Sequence, residues 1–128
     1  MLGPMRASLS FVAMLLGGST LSGSTLPVVI GGSPDVDACS SLGAITIGKA
    51  VTLRSGPGEK YQRLATLAAG DFVHLCSTSP DGNWSGVILA QDGILDCGVS
   101  SPVSPAKEYQ GPCQWGWVPI KRVSPVAG

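Results

Sequence analysis

Residues Val51 to Gly70 read VTLRSGPGEKYQRLATLAAG: an alternating apolar run, a glycine-proline-glycine turn flanked by charge, and a second apolar run that stops at a glycine. Two short apolar runs joined by such a turn form the pattern of a β-hairpin. The glycines invite a second reading, a phosphate cradle, which the residues exclude. The Ser-Gly-Pro-Gly segment lacks the Gly-Lys-Ser/Thr ending of a phosphate loop, and Tyr61 stands where a Gly-x-Gly-x-x-Gly motif needs its third glycine. Arg54, Glu59 and Lys60 supply mixed charge rather than a basic cradle. Pro57 fixes its own φ, and Gly56 and Gly58 allow sharp reversals, so a turn is a sufficient explanation.

The same punctuation continues on either side. A first strand is expected over Ile45–Arg54, a loop over Ser55–Tyr61 and a strand over Leu64–Leu67. Ala-Ala-Gly-Asp then turns into FVHLCS, Phe72 to Ser77. Ser79–Asn83 carries Asp-Gly at its centre, a strong hairpin signal, and WSGVILA returns from it. Gln91–Gln114 breaks the rhythm, with three glycines, three prolines and no clean period. A stretch of this length inside a small domain is functional or otherwise constrained. WGWVPIKRV, Trp115 to Val123, closes the chain with a strand and turn, leaving a tail over 124–128. The class is all-β.

The chain of 128 residues has room for one domain. Its charged fraction is 12% and its formal net charge zero, so it has no electrostatic footprint for nucleic acid. At the N-terminus, a segment with one cation (Arg6), the uncharged apolar run ASLSFVAMLLGG and the small residues of STLSGS follow in order. This layout reads as a signal peptide over 1–24, cut after Gly23 or Ser24, with a buried helix or membrane anchor as the rival. Leu21–Ser24 resembles a lipoprotein box, but Ser24 occupies the cysteine position and a thioether to lipid needs a thiol. The expected product is soluble, periplasmic or secreted, without a membrane anchor after cleavage. Residues 25–43 read as an extended lead-in.

Four cysteines, Cys39, Cys76, Cys97 and Cys113, all lie beyond that cleavage point. An even count in an exported domain favours two disulfides. No Cys-x-x-Cys pair is present, so zinc does not fit the spacing, and no metal or other cofactor is expected. Cys97 and Cys113 bracket one loop-like segment and are the preferred pair, leaving Cys39 with Cys76.

LRSGPGEKYQRLATLAAGDFVHL, then DGNWSGV, then GWVPIKRV together resemble the bacterial SH3 (SH3b) domain. The family shows an Arg-Ser-Gly-Pro loop, a Gly-Asp turn, a Trp-containing strand and a closing Gly-Trp-Val. The match runs over about 44–123, with 91–114 as a cysteine-containing insertion that the family lacks. The resemblance implies a small, strongly bent β-barrel of about five strands. It also implies an exported module that binds cell wall or protein, and it places the Ser55–Tyr61 loop beside a ligand groove. Arg54, Glu59 and Tyr61 are the contacts implied there, against the alternative of a solvated turn with Arg54 pairing locally.

Alternation assigns faces. Val73 and Leu75, Val87 and Leu89, and Val118 and Ile120 share the aliphatic side. Trp84, Trp115 and Trp117 fall outside that set, with Phe72, His74, Cys76, Ile88 and Pro119. The tryptophans could line a groove with Tyr61 and Tyr109, since indole rings are favoured at recognition surfaces. Alternatively the insertion folds over them and they form a second small core. Trp117, in the Gly-Trp-Val signature, leans towards the groove.

Enzyme readings fail on inventory. The single histidine, His74, sits mid-strand and reads as a satisfied strand residue, and no Gly-x-Ser-x-Gly elbow is present. Asp71, Asp81, Asp92, Asp96 and Glu108 mostly occupy turns, where Asp serves the backbone. The expected function is a non-catalytic envelope module recognising peptidoglycan or a wall-associated peptide. An interaction or inhibitor module using 91–114 is the alternative. A weak hydrolase built on Cys97 or Asp side chains comes last.

Overall fold

The structure, a computed structural model, describes residues 24–90 and 96–127. The signal-peptide reading of 1–24 lies outside these residues except for Ser24, as does Asp92. The described chain is all-β. Strands β1 (Val29–Ile30), β2 (Ser41–Ile45), β3 (Val51–Arg54), β4 (Arg63–Leu67), β5 (Phe72–Thr78), β6 (Trp84–Leu89), β7 (Lys107–Glu108) and β8 (Trp115–Pro119) are followed by a 3-10 turn over Ile120–Arg122 and β9 (Val123–Ala127).

Seven strands form one antiparallel sheet in the order β4-β3-β8-β6-β5-β2-β9, and β1 pairs with β7 in a second, two-stranded sheet. The end strands β4 and β9 do not pair, so the expected small, strongly bent β-barrel of about five strands is corrected to an open sheet. Register shifts at Leu42/Gly43, Leu53/Arg54 and Leu75/Ser77 mark bulges, which bend strands without closing them.

Two expected boundaries change. Ile45–Arg54 is not one strand: Gly48 takes a positive φ of 134°, and Thr46–Ala50 loops out between β2 and β3. Arg122 holds that loop, its Nη2 donating to the Lys49 carbonyl at 2.6 Å and its Nε to Thr46 Oγ1 at 2.9 Å. At the other end, residues 124–127 belong to β9, which lies along β2 with Ile45 opposite Val123. Pro125 is tolerated there because β9 is an edge.

The sheet has a core on each side. Ile45, Val51, Leu53, Leu67, Val73, Val87, Leu89 and Val118 make the first, with Leu75 packed against it. Alternation therefore placed the aliphatic face correctly, except that Ile120 enters the 3-10 turn and is 38% exposed. Gly116 is required here, because a Cβ would collide with the Leu53 side chain.

The second core is built by the insertion and the N-terminal segment. Val28, Ile30, Cys39, Cys97, Val99, Tyr109 and Cys113 close over Ile88 and Trp117. Because both of its faces are covered, β6 is buried throughout Ser85–Leu89. The disulfides join Cys39 to Cys76 and Cys97 to Cys113, as preferred from the sequence. Tyr109 ties the insertion internally, its hydroxyl donating to the Cys97 carbonyl at 2.7 Å and accepting from the Cys113 N–H at 3.0 Å.

Candidate functional site

The Ser-Gly-Pro-Gly turn is shaped by its own tyrosine. The ring of Tyr61 lies against Gly56, where a Cβ would collide with it, and close to Gly58. Arg54 Nη1 donates to the Tyr61 carbonyl at 3.0 Å, closing the loop from the strand side. Ser55 is fully buried: its hydroxyl donates to the Ser24 carbonyl at 2.8 Å and accepts from the Gln62 N–H at 3.2 Å. The loop is a packed element with Arg54 and Glu59 on its flank.

Across from it, the Asp81-Gly82 hairpin positions Trp84. Asp81 Oδ1 accepts from Ser79 Oγ at 2.6 Å and from the Asn83 N–H at 2.9 Å, and the Trp84 N–H donates to Ser79 Oγ at 3.0 Å. The Ser79 bond, then that of Asn83, holds the Asp81 carboxyl below the usual carboxylate range. Trp84 lies opposite Pro119 in the β6–β8 ladder, and the Ile120 N–H donates to the Asn83 carbonyl at 2.9 Å. This fixes the 3-10 turn, and with it Arg122, beside the hairpin.

Between loop and hairpin runs a groove of about 180 Å³ lined by Thr52, Arg54, Glu59, Trp84, Pro119 and Arg122, among others. Three of the six residues expected as ligand contacts, Arg54, Glu59 and Trp84, are brought together here. The other three are not among its lining residues. Tyr61 packs beneath the loop glycines. Trp117 is 5% exposed, its indole spent on the second core and on a hydrogen bond to Leu26. Trp115 is half-buried and lines a separate depression of about 410 Å³ with Leu64, Gln110, Pro112 and Gln114.

Sequence reasoning missed Arg122 as a site residue. The available signal was Pro119 followed by Ile-Lys-Arg, a segment whose 3-10 turn swings the arginine back towards Thr46. His74 also differs from expectation. It is buried between cross-strand neighbours Leu42 and Ile88, yet its Nε2 has no hydrogen-bond partner among the described residues. A third depression, of about 360 Å³, is lined by Ser40, Ser41, Ser77, Thr78, Ile120 and Pro125, among others, and by no charged side chain among the described residues.

Comparison with family models, curated proteins and solved structures finds no match to this chain.

Proposed function

We propose that the protein is a non-catalytic binding module of the cell envelope, built on an SH3b-like plan and recognising peptidoglycan or a wall-associated peptide. The observation that carries this reading is the groove in which Arg54, Glu59 and Trp84 converge with Pro119 and Arg122. A flat indole and a proline ring beside fixed charges suit an extended, polar ligand that binds by stacking and by charge-assisted hydrogen bonds.

The strand order supports the SH3b-like plan. Strand β2 is followed by the β3–β4 hairpin, a β5-β6-β8 meander, a short 3-10 turn and a last strand returning to β2. Two disulfides are compatible with an oxidising, exported compartment. All four cysteines are committed to those bridges, which leaves a cysteine hydrolase without its thiolate.

A second reading keeps the insertion as an interaction surface. The depression around Trp115 and Pro112 is the observation in its favour. Co-sedimentation with purified wall sacculi separates the two. Wall binding predicts pelleting that is lost in Trp84→Ala and retained in Trp115→Ala. Absence of pelleting by the wild type would refute the wall reading.

A further inference from the structure

The groove holds two guanidinium groups and one carboxylate that are not spent on one another. Arg54 uses Nη1 on the Tyr61 carbonyl, which leaves its Nε and Nη2 without a partner among the described residues. Arg122 uses Nε and Nη2 on Thr46 and Lys49, leaving Nη1. The Glu59 side chain makes no hydrogen bond or ion pair among the described residues, although it lines the same groove. Backbone carbonyls thus anchor both arginines in place, and each keeps a guanidinium donor that no group among the described residues takes up. An anchored guanidinium loses little further freedom when it takes a carboxylate, and its fork matches carboxylate geometry.

The ligand that complements two cations and one anion carries two carboxylates and one ammonium. The part of it seated in the groove must also be small, because about 180 Å³ is below the roughly 300–1,000 Å³ of sites that enclose drug-sized ligands. Between its charges it needs an aliphatic stem to lie on Trp84 and Pro119. A neutral glycan strand does not meet the charge pattern.

We infer that the groove takes the free end of a diamino-dicarboxylic acid residue at the terminus of a short wall peptide. Its carboxylates meet Arg54 and Arg122, its ammonium meets Glu59, and its methylene chain lies over Trp84 and Pro119. This rests on the wall-binding reading and sharpens it: the module reads the peptide, at its most highly charged residue, rather than the sugar backbone.

Calorimetric titration of the oxidised protein with three synthetic probes tests it. These are an N-terminally acetylated tripeptide ending in the diamino-dicarboxylic acid, the same peptide with the remaining amine of that last residue also acetylated, and a chitin tetrasaccharide. Acetylation is expected to weaken binding to the wild type by about fivefold, the scale of one partly exposed ion pair. Glu59→Gln is expected to lose the same factor for the free-amine peptide and nothing further on acetylation, because the two changes remove one interaction. Glu59 is exposed and makes no side-chain bond among the described residues, so the variant keeps its fold. Equal affinity of the wild type for both peptides, or preference for the tetrasaccharide, would overturn the assignment. Wild-type pelleting with sacculi in that same case leaves wall binding standing, whereas failure to pellet removes both.

Discussion

The indole Nε1 of Trp117 donates a 2.7 Å hydrogen bond to the carbonyl oxygen of Leu26, 91 residues earlier in the chain. That bond joins the last Trp-containing strand to the segment entering the domain. The Leu26 N–H in turn donates to the Ser55 carbonyl at 2.7 Å, so the entering segment bridges β8 and the Ser-Gly-Pro-Gly loop. Trp117→Phe should cost about 1 kcal/mol, the net worth of one hydrogen bond, and Trp117→Ala about 3–5 kcal/mol from the cavity in the second core. Equilibrium denaturation followed by circular dichroism measures both. Wild-type stability in the alanine variant would mean the indole does not carry that core.

Gly56 is set by the Tyr61 ring, which leaves no room for a Cβ. Gly56→Ala should therefore destabilise the fold by about 1–3 kcal/mol through overpacking. In the double variant Gly56→Ala/Tyr61→Ala the added methyl should carry no such penalty, relative to Tyr61→Ala alone. A thermal melt of the four proteins in this cycle reads the coupling directly.

The Cys97–Cys113 bridge closes a separation of 16 residues. Replacing both cysteines by alanine should cost about 3 kcal/mol on the chain-entropy scale. Loss is expected to be greater than for a surface substitution because Cys97 and Cys113 also pack in the second core. The midpoint of urea denaturation reports it.

Burial pushes the Tyr109 phenol above its ordinary value of 10.0, the negative charge of Asp96 adds to this, and the bond from the Cys113 N–H opposes it. A raised acid is more readily ionised in the unfolded chain than in the folded one. Its contribution is therefore complete below the unfolded value and is lost as pH rises through the folded one. Stability should fall above about pH 10, and Tyr109→Phe should lack that slope while being about 1–3 kcal/mol less stable at neutral pH. Melts across pH 7 to 11 test the sign.

Local pattern carried the aliphatic core. Val73, Val87, Leu89 and Val118 alternate within uninterrupted strands, so their inward side could be assigned from the residues alone. Alternation failed at Ile120 because the 3-10 turn begins there and resets the period. Trp84 and Trp117 share the opposite face, yet one lines a groove and the other is buried. Both pack against the cluster of Val28, Ile30 and the insertion, but Trp117 lies within it and Trp84 only at its margin, a long-range difference that no local period encodes. Strands β1 and β7 have two residues each and leave no periodic trace. Arg54 and Glu59 were legible as flanks of a turn, but Arg122 reaches the groove only through contacts 73 and 76 residues away.

The three indoles offer the most direct test of whether the groove binds wall fragments. In a ¹H–¹⁵N correlation spectrum of the labelled protein, each indole Nε1–H gives its own signal. On titration with soluble wall fragments, the Trp84 signal should shift progressively together with the backbone of Arg54 and Glu59, while that of Trp117 stays in place. Movement confined to Trp115 and the backbone of 110–114, with Trp84 unmoved, would contradict the groove as the binding site.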